Sequence, residues 1–329
     1  MEVIEMGRVA RYATIVFLLF IQLCLSQQEP QYTQYMYNIG SFNPAYVGTV
    51  ETADVSGLYR AQWVDVPGAP TTLRFGVNVP FQNEKTGLGL NVVNDALGPS
   101  DQTFITISYS YQINLSNDTK LSFGLSGGGS LLNLDFSEGN FFDPNDPATT
   151  GENINNFYPT VGAGLFLYQD NWYTGLSVPN FLTNGLYNDE VATVVEDNMQ
   201  FTLIGGYVFD LSERTKFKPA FLVNYLEGAP VNVNVSANFQ FLDAFTLGGS
   251  YRFDNAVSGL AGFQISNSIF IGYTYDYNTN GLADFSGGSH EAILKFYLGR
   301  GGGGNRSKSG KKDKLPKGKP KQIDSPRFF

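Results

Sequence analysis

A Gly-x-Ser-x-Gly segment at residues 124–128, GLSGG, carries the residue types of a serine hydrolase, and His290 is the one histidine that could act as its base. Such a motif works where a strand turns sharply into a helix and exposes the serine beside an oxyanion hole. Here the segment lies inside a glycine-rich strand pattern, and a chance match is expected in a chain with 37 glycines. We therefore expect no catalytic residue and no enzyme.

Metal and cofactor chemistry has equally little support in the sequence. The acidic segment FFDPNDPATTGEN at residues 141–153 offers carboxylates that could bind Ca²⁺. It lacks the regular aspartate spacing and distant glutamate of a calcium loop, so solvated acids that form turns are the favoured interpretation. The chain contains no HExxH motif, paired cysteines or phosphate-binding loop. We expect no metal and no cofactor.

Three arginines, Arg60, Arg74 and Arg252, could grip a polypeptide through its carboxylates or carbonyl groups. The alternative is that they are held in internal ion pairs, for which Glu291 and Asp276 are candidates. Each arginine stands in a segment where apolar and polar residues alternate. These segments must position the arginines, so their pattern decides which surface the charges face.

The alternation is clearest at residues 231–241, VNVNVSANFQF, where Val, Ala and Phe take one face of an extended chain and Asn, Ser and Gln take the other. Neither face carries a charge. An apolar outer face and a neutral, hydrogen-bonding inner face are typical of a transmembrane β-barrel. The composition agrees, with 15% aromatic and only 16% charged residues, and no stretch beyond the first 26 residues is long and apolar enough for a spanning helix.

Alternation and turn chemistry predict an all-β protein, a transmembrane antiparallel β-barrel of about 14 strands. Their predicted limits are 54–64, 71–80, 86–95, 101–114, 119–133, 157–169, 171–179, 198–210, 214–224, 229–241, 244–254, 256–265, 267–277 and 288–298. The even-numbered links are short and the longest links, near 134–156 and 180–197, are odd-numbered. Short periplasmic turns that alternate with longer outer loops favour an outer-membrane barrel over a soluble β-sandwich.

Strand parity then predicts where individual side chains point. Tyr59 and Trp63 fall on the lipid-facing series of the first strand, with Trp63 near its outer end. His290 falls on the outward series near the loop end of the last strand. The predicted lumen-facing residues, which are also the candidates for binding a partner, are Arg60, Gln62, Arg74, Arg252, Glu291 and Lys295.

The two ends of the chain differ from the barrel. Residues 1–26 have two arginines before an apolar run and small residues before a cut after Ser26, which predicts a secretory signal peptide. A lipid attached to Cys24 is the alternative, disfavoured by the bulky Leu23. Residues 300–329 carry ten Lys or Arg against two Asp and predict a basic, flexible periplasmic tail, whereas the whole chain has a net charge of −9.

Residues 27–53 form a leader between the signal peptide and the predicted barrel at 54–299. Tyr32, Tyr35, Met36 and Ile39 have helical spacing up to Gly40, which predicts a short amphipathic helix that fills or caps the lumen. A loosely packed periplasmic segment is the alternative.

Four sequence elements together resemble the PorP/SprF family, outer-membrane proteins of the type IX secretion system of Bacteroidetes. They are the leader QYTQYMYNIGSFNPAYVG, the first-strand YRAQW followed by GAP, the run GLGLNVVNDALGPSDQTFITISYSY and the closing GGSHEAILKFYL. The resemblance covers about residues 28–299. The residues that match its motifs are Asn43, Pro44, Ala45, Gly48, Tyr59, Arg60, Gln62, Trp63, Ser289, His290 and Glu291.

The resemblance implies a non-catalytic barrel that works with subunits of the secretion translocon. It also implies help for secreted proteins, including gliding adhesins, through their C-terminal domains. The expected partners are thus a cargo protein, translocon subunits and outer-membrane lipid. The basic tail could add a periplasmic partner or be a solvated linker, and the compartment excludes nucleic acid. A channel for small solutes or hydrophobic compounds is the alternative function, supported by the neutral lumen face.

Overall fold

The computed structural model describes residues 31–83, 85–135, 153–182, 199–226, 229–281 and 283–298. The predicted signal peptide, most of the long links at 134–156 and 180–197, and the basic tail lie outside these residues. No helix in the described ranges has both the length and the apolar character needed to cross a membrane.

Fifteen strand segments in the described part of the chain form a closed antiparallel barrel of fourteen strands, which confirms the predicted fold. The segments are β1 (Asp54–Ala61), β2 (Thr71–Pro80), β3 (Thr86–Leu97), β4 (Ser100–Asn114), β5 (Lys120–Leu134), β6 (Ile154–Tyr168), β7 (Trp172–Val178), β8 (Gln200–Tyr207), β9 (Phe209–Ser212), β10 (Thr215–Leu226), β11 (Asn232–Phe241), β12 (Phe245–Arg252), β13 (Ala256–Ser266), β14 (Ile269–Asn278) and β15 (Ser289–Tyr297).

The eighth strand of the barrel is divided into β8 and β9. Both halves pair with β10, and they are separated at Val208, whose N–H donates to the carbonyl of Asn171 at 2.7 Å. The barrel closes where β15 pairs with β1, from Asp54 opposite Tyr297 to Ala61 opposite His290. Because every strand pairs with its neighbour along the chain, each link is a simple connection at one end of the barrel.

The wall has the two faces that its alternation predicts. On β11, Asn234 and Asn238 are each 1% exposed and point inward, whereas Val235 and Phe239 are each 39% exposed on the outside. Outward rings also meet between neighbouring strands, as in Phe217 opposite Phe239, whose centroids lie 4.7 Å apart. Such cross-strand pairs stabilise a sheet beyond the area that they bury.

The first strand is shorter than predicted, so the prediction that Trp63 lies on its outward series is wrong. β1 ends at Ala61, and Trp63 stands in the following link with a positive φ of 45°. The chain turns there, since the N–H of Val66 donates to the Trp63 carbonyl at 3.0 Å. Pro70, just before β2, has no N–H with which to continue the ladder.

The leader contains three short helical turns instead of one amphipathic helix. They are Tyr35–Tyr37, Ile39–Phe42 and Pro44–Tyr46. The predicted stop at Gly40 is wrong, because Gly40 lies within the second turn. The breaks fall at Asn38 and at the extended Asn43, whose φ is −136°. Pro44 accounts for the second break, since a residue before proline is disfavoured in helical conformation.

The leader packs inside the barrel, where its apolar side chains make the protein's buried core. Tyr35, Met36, Ile39, Phe42 and Tyr46 are at most 4% exposed. They share one cluster with inward-facing side chains of the wall, which include Leu58, Phe166, Ile204, Leu222 and Ile293. The leader therefore covers several of the apolar residues of the inner face.

Candidate functional site in the barrel lumen

The centre of the lumen site is a buried ion pair network at the seam of the barrel. Arg60 on β1 donates through Nη2 to Asp276 Oδ2 at 2.7 Å and through Nη1 to Glu291 Oε2 at 2.9 Å. All three side chains are almost fully buried. β1 and β15 place Arg60 directly opposite Glu291, and β14 places Asp276 one strand further along. The internal pairing that the sequence left open for Arg60 is the arrangement present here.

Thr33 and Gln34 of the leader complete this network. The carboxylate of Glu291 accepts the backbone N–H of Thr33 at 2.9 Å on one oxygen and that of Gln34 at 2.8 Å on the other. The Thr33 hydroxyl lies 2.8 Å from Asp276 Oδ2 and also accepts from Arg60 Nη1 at 3.3 Å. Hydrogen bonds to charged groups are among the stronger ones in proteins, so the network fixes this part of the leader to the wall.

Arg252 reaches the same point from β12. Its Nη2 donates to the Thr33 hydroxyl at 3.2 Å, and its Nε donates to Asn234 Oδ1 at 2.8 Å. Two arginines thus face two carboxylates around one threonine. The four charges of this cluster balance without any charge from the leader, which lowers the cost of burying them.

Arg74 lies apart from this cluster and contacts neutral groups. Its Nε donates to Asn91 Oδ1 at 2.7 Å and its Nη1 to Ser56 Oγ at 3.0 Å. Its guanidinium occupies the space above Gly76, where a Cβ would lie 2.3 Å from Nη2. The ion pairs found within the described residues do not include Arg74, so it braces the wall through amide and hydroxyl oxygens.

The remaining lumen candidates lie near the two ends of the barrel. Lys295 is buried, and its Nζ donates to the Tyr37 carbonyl of the leader at 3.3 Å and lies 5.5 Å from the Tyr297 ring. Gln62 follows the end of β1, is partly exposed and donates its N–H to the Pro70 carbonyl at 2.9 Å. Their binding of a partner stays a prediction.

The leader motif NPAYVG is held in a groove that glycines line. Asn43 accepts the Ala45 N–H through Oδ1 at 2.9 Å and donates through Nδ2 to the Leu165 carbonyl at 2.9 Å. A Cβ on Gly164 would lie 2.1 Å from Asn43 Oδ1, and one on Gly124 would lie 2.1 Å from the Ala45 nitrogen. Leader and wall therefore approach so closely that these strand positions leave no space for a side chain.

The same close approach continues toward the start of β1. A Cβ on Gly87 would lie 2.3 Å from the Cα of Gly48, and one on Gly48 would lie 2.4 Å from Ser110 Oγ. Here backbone faces backbone, so Gly48 of the motif and Gly87 of β3 exclude side chains from both partners. The motif that marks the leader is thus a packing motif.

The closing motif stabilises the wall near its outer end. Ser289 Oγ accepts the N–H of Trp63 at 3.2 Å and so joins β15 to the link after β1. His290 faces outward, with Nδ1 2.6 Å from the Tyr273 hydroxyl on β14. Tyr59 also faces outward and is 51% exposed. Tyr59 and His290 thus lie on the outward face predicted for them, although no chemical role follows from these positions.

The leader runs from one end of the lumen to the other. Gln31 accepts from Asn232, at the start of β11, at 3.2 Å, and Asp54 begins β1 at the opposite end. The end at Asp54 carries the short links, and the end at Asn232 carries the long ones. Short links are periplasmic in such barrels, so Gln31 lies at the outer end of the lumen.

Burial changes the chemistry of one leader side chain in the middle of this path. Tyr35 is fully buried, and its hydroxyl lies 2.9 Å from Ser236 Oγ on β11. Burial raises the pKa of Tyr35 well above its ordinary value, although the bond to Ser236 lowers it slightly. Tyr35 therefore stays a neutral phenol that holds the leader to the wall.

The features considered for catalysis and metal binding are not brought together as reactive sites. GLSGG lies within β5, where Ser126 pairs with Ser108 and no strand-to-helix turn occurs. His290 lies on β15, separated from β5 by four strands of the sheet. Across the described residues, no group of three or more His, Cys, Asp or Glu side chains is placed to hold a metal ion.

Comparison with known families identifies the chain. A family model described as "Type IX secretion system membrane protein PorP/SprF" matches residues 24–296. The chain belongs to the PorP/SprF family. This membership confirms the resemblance and, together with the barrel, places this PorP/SprF protein in the outer membrane as a type IX secretion membrane protein. Its family and fold are those of a membrane barrel and not of an enzyme.

Solved structures of low sequence identity are also similar to this PorP/SprF protein. The NanC porin is 12% identical with a TM-score of 0.41, over 75% of this chain and all of that one. The CymD monoaromatic hydrocarbon channel is 11% identical with a TM-score of 0.46, over 80% and 91%. A Pseudomonas aeruginosa FadL homologue is 12% identical with a TM-score of 0.39, over 81% and 93%. No curated protein sequence matches the chain.

Proposed function

We propose that this protein is a non-catalytic component that binds secreted cargo of the type IX system, anchors it or assists its export, at the outer face of the membrane. The observation that carries the proposal is a family barrel whose lumen is crossed by its own leader from Asp54 to Gln31. A filled lumen disfavours free diffusion of solutes and favours a role that depends on protein contacts. The expected contact on the cargo is its C-terminal domain, as the family implies.

In this proposal Arg60, Arg74 and Arg252 stiffen the lumen, and the leader closes its periplasmic part. The two long acidic links at the outer end are the sequence's candidates for cargo contact, and the basic tail is its candidate for a periplasmic partner. Charge reversal at the three arginines should abolish assembly and cargo display. Normal display by the charge-reversed variants would remove these arginines from the proposal.

The direct test is gentle solubilisation of the outer membrane, isolation of the protein by a C-terminal tag and mass spectrometry of what stays bound. Recovery of a large secreted protein together with translocon subunits is the expected result. Removal of residues 300–329 in a second preparation would show whether a periplasmic partner depends on the tail. Recovery of the barrel alone, combined with steady ion conductance, would favour the channel that the neutral lumen face suggests.

A further inference from the structure

We propose that Arg60, Arg252, Asp276 and Glu291 form a peptide-binding site, which the chain's own residues Thr33 and Gln34 fill and from which another polypeptide can displace them. We call residues 31–34 the arm and residues 43–48 the anchor. The inference rests on the proposed function only for the source of that polypeptide, which would be an exported protein.

Arm and anchor are held in different ways. The anchor lies backbone against backbone in the glycine groove, with Gly124 closest to Ala45. The arm is held by hydrogen bonds to polar and charged side chains, and the ring of Tyr32 packs on Phe42 of the leader itself, with centroids 5.7 Å apart. Polar bonds can be exchanged for equivalent ones, whereas a close-packed backbone cannot leave without a large loss of contact.

The charge balance of the site allows the exchange. Two guanidinium groups and two carboxylates lie on the wall, and the arm contributes only neutral N–H and hydroxyl groups. The cluster stays neutral when the arm leaves, so departure of the arm leaves no uncompensated charge within this site. Another neutral peptide can then take the same bonds.

The site also has unused hydrogen-bonding capacity. Three buried polar atoms here have no partner within the described residues: Gln34 Oε1, Arg60 Nε and Thr274 Oγ1 on β14. Thr274 stands directly opposite Glu291 and is fully buried. Buried groups of this kind are usually satisfied, so the arm fits the site incompletely and a better ligand can compete with it.

The geometry defines the class of ligand. Glu291 accepts two consecutive backbone N–H groups, which any peptide offers at a pair of residues without proline. Asp276 and the two arginines converge on one hydroxyl, which only Ser or Thr supplies in that position. The ligand is therefore a polypeptide with Ser or Thr followed by a residue other than proline, in the turn conformation that Thr33 and Gln34 adopt. The arm's end at Gln31 lies at the outer mouth, from which such a segment would enter.

The test measures binding of a fluorescent peptide with the sequence of residues 31–38, QYTQYMYN, to the full-length protein by anisotropy. Thr33→Pro in the protein removes both the N–H and the hydroxyl of the arm but leaves the wall intact, so it should bind the peptide about tenfold more tightly than the unchanged protein. Adding Glu291→Gln should remove that gain. Adding Asp101→Asn, a carboxylate on β4 that bonds Asn94, should leave the gain unchanged.

A peptide with Val in place of its Thr should bind about tenfold more weakly than one with Ser. If the proline variant does not fold, Thr33→Val provides a second variant with a weakened arm. It removes the hydroxyl bonds of Thr33 and keeps its N–H bond to Glu291. Equal peptide binding by the unchanged protein and a folded arm variant, or full binding after Glu291→Gln, would overturn the inference. The peptide assay contains no cargo protein, so its failure would not contradict the proposed function. That function is tested separately by the co-purification experiment.

Discussion

The single residue Glu291 connects β15 to β1 and to the leader. Its carboxylate accepts hydrogen bonds from Arg60 on β1 and from two backbone amides of the leader. Replacing Glu291 with Gln removes the charge but keeps the shape. Arg60 would then share its buried charge with Asp276 alone. We expect a loss of about 3–5 kcal/mol in the free energy of unfolding, which urea titration in lipid vesicles measures.

The matched control for this change is Asp243→Asn at a short periplasmic link. Asp243 also pairs with a lysine, Lys216, but its side chain is 57% exposed. The Lys216 side chain is only 11% exposed, but water reaches the pair at Asp243 and weakens the interaction, so this variant should stay within about 1 kcal/mol of the unchanged protein. Equal losses in the two variants would argue against a special role for the seam network.

Arg74 allows a second prediction, since its guanidinium contacts Asn91 and Ser56 through separate nitrogens. A lysine ammonium is a point donor and cannot reproduce both directions. Arg74→Lys should lower the free energy of unfolding by about 1–3 kcal/mol in the same titration. Arg214→Lys, at an exposed link, is the control and should have no measurable effect. A stable Arg74→Lys protein would show that charge alone suffices at this position.

At the scale of elements, the leader and the glycine groove form one packing unit. Gly124→Ala would place a Cβ against the backbone of Ala45, whereas Gly127→Ala on the same strand meets nothing within 4 Å. We expect Gly124→Ala to weaken the packing of the leader against the wall and Gly127→Ala to have no effect on it. Hydrogen exchange of the leader amides should become faster in Gly124→Ala and stay unchanged in Gly127→Ala. Unchanged exchange in both would contradict the close approach.

The strands also show how accurately sequence alternation predicts secondary structure. Period-two alternation predicted the strands within a few residues, and β2 begins and ends where expected, at Thr71 and Pro80. It failed where the backbone departs from a regular ladder, at the turn after Ala61 and at the break at Val208. Such departures depend on bonds to other segments, which a local pattern does not contain.

For the whole molecule, the decisive property is whether the lumen conducts. The leader fills the centre of the barrel with a core that includes Tyr35 and Ile39. We expect the full-length protein to show little current in planar bilayers and a variant lacking residues 31–50 to conduct steadily. Gly127→Ala should resemble the full-length protein. Equal currents with and without the leader would show that it does not close the pore.

The sequence alone predicts the barrel class, the strand count, the inward face of the three arginines and the motif that identifies the family. These follow from local alternation, because a strand of a barrel must place apolar residues toward lipid and polar residues toward the lumen. Even Asp276 and Glu291 could be chosen as acids for an inward arginine. The sequence could not show that both serve Arg60, which lies 231 positions from Glu291 along the chain.

The contents of the lumen become visible only in the folded protein. Period two fixes the face of a residue but not its partner across the barrel, so Thr33 and Gln34 gave no signal as ligands of the seam network. Gly87, Gly124 and Gly164 looked like ordinary strand glycines until the leader was seen to lie against them. Closure of β15 on β1 brings the network together, and that closure is a property of the whole chain.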